Sequence, residues 1–325
     1  MASEPKTLQE AIKHFADPNN CREYLVARRW PNGVTCPRCG SDKVAFMEKY
    51  NRWQCNSKTH KDRQFTSKTG TIFEDSPLGL DKWLAAMWLI VNCKNGISSY
   101  EVARDIEVSQ KSAWHMLHRI RLAMQDTPAA KMAGTIEADE SLFGGKVRNM
   151  HLDKQTRARM GKKRIGGYEG KAVVMGLLDR ETKKARVKVL ENNRAFHIRT
   201  NVIENVAKGS AVYSDSLRSY RNLPVDGFFH DFVDHTEAYV KGQVHTNGLE
   251  NFWSLLKRSL KGTYVSVEPF HLQAYCDEQA FRFNNRKDMN DSDRFDLVVR
   301  QILGKRLTWA EVTGKVSECP APTAD

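Results

Sequence analysis

A clear hydrophobic pattern lies at 245–264, HTNGLENFWSLLKRSLKGTY. Leu249, Phe252, Trp253, Leu256 and Leu260 recur at offsets of three and four, which predicts an amphipathic helix with one buried face. Thr246 or Asn247 can cap its start, and Gly262 can end it. Upstream the period changes from helix to strand. Segments 135–139, 172–178, 185–190 and 211–215 are short and apolar and predict strands. A turn at 179–183 joins the middle two, and a helix at 195–206 precedes the last. Nearer the N-terminus, 44–46 and 52–54 predict a hairpin. Trp83, Met87, Ile90 and Val91 then form a helical stripe. The run 102–117 fits two helices about a tight turn: small Ala103 allows a close crossing, Ile106 and Val108 pin the turn, and Ser109 caps the second helix. A last aromatic helix is expected at 270–284. The stretch 126–132, with Pro128, reads as a linker, and residues beyond Thr313 read as frayed.

Composition narrows the partners. A length of 325 residues leaves room for two or three domains with ample core. A net charge of +12 and a pI near 9.3 suit a polyanion-binding protein, although a merely basic protein would show the same numbers. The longest apolar run, 83–91, is nine residues, better read as a buried helix than as a membrane span. Residues 1–15 are polar and lack the apolar stretch of a secretory signal. Seven cysteines, unevenly spaced, point to a reducing cytoplasm and metal ligation rather than a disulfide frame.

Two sets of residues carry candidate chemistry. Cys36-Pro-Arg-Cys39-Gly40 is a tight CxxC knuckle, followed sixteen residues after Cys39 by Cys55 and then by His60. Thiolates and an imidazole are what tetrahedral Zn2+ prefers, and such a site folds a segment too small for its own core. A CxxC alone is also a redox pair, so the flanking hairpin matters, since hairpin and knuckle together make a zinc-ribbon layout. Scattered Arg28, Arg29, Arg38, Lys58 and Lys61 could touch phosphates or be plain surface charge. The second set is Asp139 and Asp215, each at the exit of a strand pattern, with Glu250 and Lys257 seven residues apart on one face of the late helix. A lone carboxylate with a lysine two turns on is commonly a solvated face. Three carboxylates converging from strand ends and a helix are what two Mg2+ (or Mn2+) ions need for phosphodiester displacement. Glu137, Glu140 and Glu237 read as plain surface or supporting residues.

The spacing of 34 residues between Asp215 and Glu250, with Lys257 beyond, resembles the DDE transposases, an RNase H-like family. The words SLFGGK, YSDSLRSY and HTNGLENFWSLLKRSLKGTY are similar to bacterial insertion-sequence transposases that pair a zinc ribbon with a DDE domain. The resemblance implies an α/β chain: a zinc ribbon at 21–75, a helix-turn-helix at 78–126, an RNase H-like catalytic domain at 134–306 and a tail at 307–325. It implies catalytic Asp139, Asp215, Glu250 and Lys257 with Mg2+ or Mn2+, and structural Zn2+ on Cys36, Cys39, Cys55 and a fourth ligand. The family usually closes that site with a second CxxC. Here His60 is the expected substitute, a three-ligand site being the alternative. The helix pair would read double-stranded DNA through outward-facing Gln110, Lys111, Ser112 and His115, though any paired-helix domain shows this pattern, and the usual turn glycine is replaced by Glu107. Segment 146–171 holds nine Lys or Arg, among them Lys162, Lys163 and Arg164, and is either a solvated loop or a DNA clamp. The function implied is transposition: binding terminal inverted repeats, hydrolysis at the element end, and strand transfer by the freed 3′-hydroxyl. The expected setting is a homodimer or higher oligomer on nucleoid DNA, with no membrane. The competing reading is a catalytically silent DNA-binding protein or repressor derived from such an enzyme.

Overall fold

The computed structural model describes residues 5–126, 130–145, 152–153, 156, 171–192, 194–215, 220, 222–233 and 245–315. Lys162, Lys163, Arg164 and Glu237 lie outside the described residues. The chain forms two compact units, one from 1–125 with 287–325, the other from 126–286.

The first unit starts with two helices that the sequence reading did not anticipate, α1 (Leu8–Phe15) and α2 (Pro18–Arg29). Thr7 and Asp17 cap them. A three-stranded antiparallel sheet follows, β1 (Val44–Met47), β2 (Arg52–Cys55) and β3 (Gln64–Phe65). Beneath it Trp53 stacks on Phe65, with ring centroids 5.9 Å apart. The two-residue β3 was not foreseen, being too short for an alternation to register. Next come α3 (Leu80–Asn92), α4 (Ser99–Asp105) and α5 (Gln110–Met124). Ser98 and Glu101 form a reciprocal capping box on α4, and Ser109 accepts from the Ser112 N–H at the start of α5. Glu107, in the turn between them, has φ 52°, the left-handed conformation that a glycine takes at little cost. The chain returns to this unit at Lys287 with α9 (Asp291–Arg300) and the short α10 (Trp309–Val312). The sequence reading carried the third domain to 306. The second unit closes at Arg286 instead, because Phe295 packs against Phe15, Tyr24 and Trp88, and Asp296 pairs with Arg28. The start of the expected tail at 307 packs on this unit: the Leu307 carbonyl accepts from Arg119, and Trp309 packs edge-on against Trp114.

The second unit is a five-stranded sheet in the order β6-β5-β4-β7-β8. β4 (Thr135–Phe143), β5 (Ala172–Asp179) and β6 (Ala185–Leu190) are antiparallel neighbours. β7 (Ala211–Asp215) and β8 (Phe229–Val233) run parallel to β4. Helix α6 (Ala195–Asn205) supplies the crossover before β7 and covers one face, where Ile136, Ala138, Val173, Met175, Leu177, Ile198 and Val202 form a core. Helices α7 (Asn247–Arg258) and α8 (Leu272–Asn284) cover the other, with Val174, Leu178, Leu249, Phe252 and Trp253. Burial on both faces explains why β5 reads as one unbroken apolar run. A wider, π-helical turn, Ser259–Thr263, prolongs α7 through the expected Gly262 stop, the Tyr264 N–H bonding the Ser259 carbonyl. Strand β8 was not anticipated: its Phe229 and Phe232 are exposed on an edge strand and its His230 and Asp231 break the apolar pattern. Among the described residues no helix is long and apolar enough to cross a membrane.

Candidate active site and metal centre

Strand register builds the carboxylate site. β4 pairs with β7 as Thr135↔Ala211, Ile136↔Val212 and Glu137↔Tyr213, so two residues further on Asp139 is level with Asp215. Alternation gives both the same face, the one covered by α7, since Ile136, Ala138 and Val212 point to the α6 side. Asp139 therefore sits mid-strand, β4 continuing to Phe143, and not at the strand exit expected for it; Asp215 does end β7. The indole of Trp253 on α7 donates to Asp139 Oδ2 at 2.9 Å. Glu250 lies one helical turn before Trp253, on the same side of α7, and its side chain is exposed.

Carboxylate oxygens of Asp139, Glu140 and Asp215 come within 4.8 Å of one another. Glu250 is not in that group, yet its charge helps raise the Asp139 carboxyl. Glu140 is thus no plain surface residue. Tyr220, fully buried, donates its hydroxyl to Glu140 Oε1 at 2.6 Å. Burial pushes Glu140 up to about 8 against the pull of that hydroxyl, with Asp215 and Asp139 adding to the rise. Burial likewise pushes Asp139 up to about 6, opposed by the Trp253 indole. Crowded oxygen donors whose repulsion a cation would relieve fit the hard-ligand chemistry of magnesium. Glu137 is also buried, at 2 % exposed, and pairs with Arg180 at 2.8 Å. The sequence reading left Glu137 and Glu140 as surface or supporting residues and did not single out Tyr220; the available signal was three carboxylates within four positions of one strand, in a sheet covered on both sides. Lys257 is exposed, its ammonium 6.0 Å from the centroid of Phe143, four residues along β4 from Asp139.

At the knuckle, Gly40 (φ 71°) turns the chain so that its N–H bonds the Cys36 carbonyl at 2.8 Å. Cys36 Sγ lies 3.4 Å from His60 Nε2, and Cys39 Sγ 3.7 Å from Cys55 Sγ. All four donors fall within 4.8 Å of one another. A tetrahedral zinc with bonds near 2.3 Å to sulfur and 2.0 Å to nitrogen separates its ligands by roughly 3.5–3.8 Å, so the set fits the metal. The Ser41 backbone N–H on its sulfur brings the Cys39 thiol down to about 6, toward the thiolate that zinc binds.

The expected DNA-reading residues do not all face outward. Lys111 is exposed, its ammonium over the Trp309 ring. Gln110 donates to Ser99 Oγ at 2.9 Å, and Ser112 is tied to Ser109. His115 is half-buried, its Nε2 3.3 Å from the Leu307 carbonyl, and burial lowers its pKa. For His115 the cause is the returning segment at 307–309, whose Leu307 carbonyl and Trp309 ring meet it.

Comparison with known proteins decides the lineage. Residues 131–284 match the family model described as an ISXO2-like transposase domain, and residues 17–58 match a transposase zinc-ribbon domain. A Halobacterium salinarum protein described as an uncharacterized protein in transposable element ISH50 is 30 % identical over 253 residues, 77 % of this chain and 85 % of its own length. This chain belongs to the ISXO2-like transposase family. A Haemophilus influenzae protein described as an uncharacterized transposase-like protein is 32 % identical over 97 residues, 30 % of this chain and 78 % of its own. Membership makes the 126–286 unit an RNase H-like domain of an ISXO2-like transposase. The zinc-ribbon match ends at residue 58, so the Cys36, Cys39 and Cys55 positions lie inside it and His60 outside.

Proposed function

We propose that this chain is the DNA transposase of an insertion element, binding its terminal inverted repeats and performing metal-dependent end cleavage and strand transfer. The observation that carries this reading is the level placement of Asp139 and Asp215 on adjacent parallel strands, with Trp253 tying Asp139 to the helix that bears Glu250. Those three carboxylates would hold magnesium or manganese, which when bound activates the attacking oxygen and stabilises the leaving one. Tyr220 keeps Glu140 turned toward the same oxygens, supplying further negative charge. Lys257, beyond Phe143 on the same face, receives a phosphate of the bound end as a compact point charge. Zinc on Cys36, Cys39, Cys55 and His60 holds the ribbon in shape. Lys111 on α5 and the nine basic residues of 146–171 meet DNA, a paired-end complex of two or more copies being the working form on nucleoid DNA.

The test is a plasmid excision assay using the coding segment with its native flanking DNA, in magnesium and in EDTA. Asp139→Ala, Asp215→Ala and Glu250→Ala each abolish cleavage while end binding persists, because removing negative charge does not weaken attraction to DNA. Cleavage by Glu250→Ala at the wild-type rate would remove Glu250 from the site.

A further inference from the structure

At the start of helix α7 the Asn247 N–H reaches His245 Nδ1 only at 3.4 Å. Thr246, the residue before it, makes no side-chain bond to the first turn, and the first N–H groups of any helix lack intrahelical partners. The acceptor for the Leu249 N–H comes from β4. Glu137 Oε2 accepts from the Leu249 N–H at 3.1 Å, placing a carboxylate at the positive end of the helix. The other oxygen, Oε1, is 2.8 Å from Arg180 Nε. Arg180 in turn donates through Nη2 to the carbonyl of His245 at 2.5 Å and lies 2.8 Å from its Nδ1, so one guanidinium binds Glu137 and the approach to the helix.

Two glycines close the fit. A Cβ on Gly248 would lie 2.8 Å from Glu137 Oε2 and 2.9 Å from Leu178 Cδ2. A Cβ on Gly176 of β5 would lie 2.8 Å from the Trp253 ring and 2.9 Å from Leu249 Cδ2. The helix is therefore seated on the sheet at two successive points: Glu137 holds the Leu249 N–H, and Asp139 holds the Trp253 indole. Four residues of helix advance about 6.0 Å and two residues of strand about 6.6 Å, so both bonds form in one axial setting of α7. Glu250 lies between those two points. Resting on the reading of Glu250 as the third carboxylate of the metal site, we propose that Glu137, with Arg180, is a positioning residue that sets Glu250 against Asp139 and Asp215.

The test uses the full chain and reads Mn2+ binding by titration calorimetry alongside end cleavage. Glu137→Ala is expected to raise the Mn2+ midpoint and lower cleavage by roughly 10- to 100-fold, the usual effect of losing a group that orients a ligand, with end binding and zinc content unchanged. Glu137→Gln, which keeps an acceptor for Leu249, recovers part of the loss. Gly248→Ala presses on the same contact without removing charge and is expected to shift the midpoint in the same direction, so it carries the test if Glu137→Ala fails to fold. An unchanged Mn2+ midpoint in whichever of these variants folds overturns the proposal. So does a loss confined to the folded fraction, seen as reduced amplitude at the same midpoint. Glu250→Ala separates the two levels: wild-type Mn2+ binding and cleavage there sink the underlying site assignment, whereas a dead Glu250→Ala beside a wild-type Glu137→Ala sinks the positioning role alone.

Discussion

Cys36, Cys39, Cys55 and His60 come from a knuckle, a strand and a loop, and little besides a shared metal explains why three thiols and an imidazole should crowd within 4.8 Å. His60 Nδ1 is buried with no hydrogen-bond partner among the described residues, while Nε2 faces Cys36. Elemental analysis is expected to find about one zinc per chain, with Cys36→Ser and Cys55→Ser losing it and becoming protease-sensitive in the first 75 residues, because the metal contributes folding free energy directly. His60→Ala should surrender zinc to a chelator faster than wild type; equal rates would make the site three-coordinate in protein ligands. These residues were legible from spacing because a knuckle is local. The carboxylates were legible only in part. Asp139 and Asp215 stood out as charges ending apolar runs, but neither the mid-strand place of Asp139 nor the burial of Glu137 and Glu140 can be read from β4 alone. Both faces of that strand are covered, and their covers, α6, Tyr220 and α7, lie 52 or more residues beyond its end in sequence.

At the scale of elements, α7 and α8 were placed from their apolar stripes, whereas α1, α2, β3 and β8 were not anticipated. α7 and α8 carry enough turns for a stripe to show, whereas β3 has two residues and β8 presents aromatics to solvent. The α4–α5 turn is an instructive middle case. Glu107 stands where a glycine is usual, yet the backbone keeps the left-handed conformation at φ 52° and its carbonyl accepts from Lys82 Nζ at 3.0 Å. A non-glycine residue pays about 1–2 kcal/mol for that conformation, partly offset by the smaller entropy of its unfolded chain. Glu107→Gly is therefore expected to stabilise the chain by up to about 1 kcal/mol, raising the melting temperature of its unit by a few degrees in calorimetry. A lower melting temperature would mean that the Glu107 side chain makes a compensating interaction.

Over the whole molecule, the RNase H-like unit is inserted into the first unit, not appended to it. Chain segments 5–125 and 287–315 close a single core, in which Phe295 meets Phe15 and Tyr24 at 5.8 Å and Trp88 at 5.0 Å between ring centroids. Asp296 bonds both Arg28 and Arg300, and Lys305 reaches the carbonyl of Leu122 at the end of α5. This topology hid the domain boundary from the sequence: 291–300 reads as one more helix of whatever precedes it, and only its partners, some 200 to 280 residues upstream, assign it elsewhere. It also fixes how damage should spread. Phe295 is fully buried, so Phe295→Ala removes a ring from a close-packed core at a cost of roughly 3–5 kcal/mol. Because the lost contacts lie within 5–125 and 287–315, hydrogen exchange followed by mass spectrometry should show faster exchange across α1, α2, α3 and α9, while β4, β5 and α7 keep wild-type protection. Equal loosening of both units would mean that they unfold as one cooperative body, and loosening confined to 126–286 would contradict the inserted arrangement.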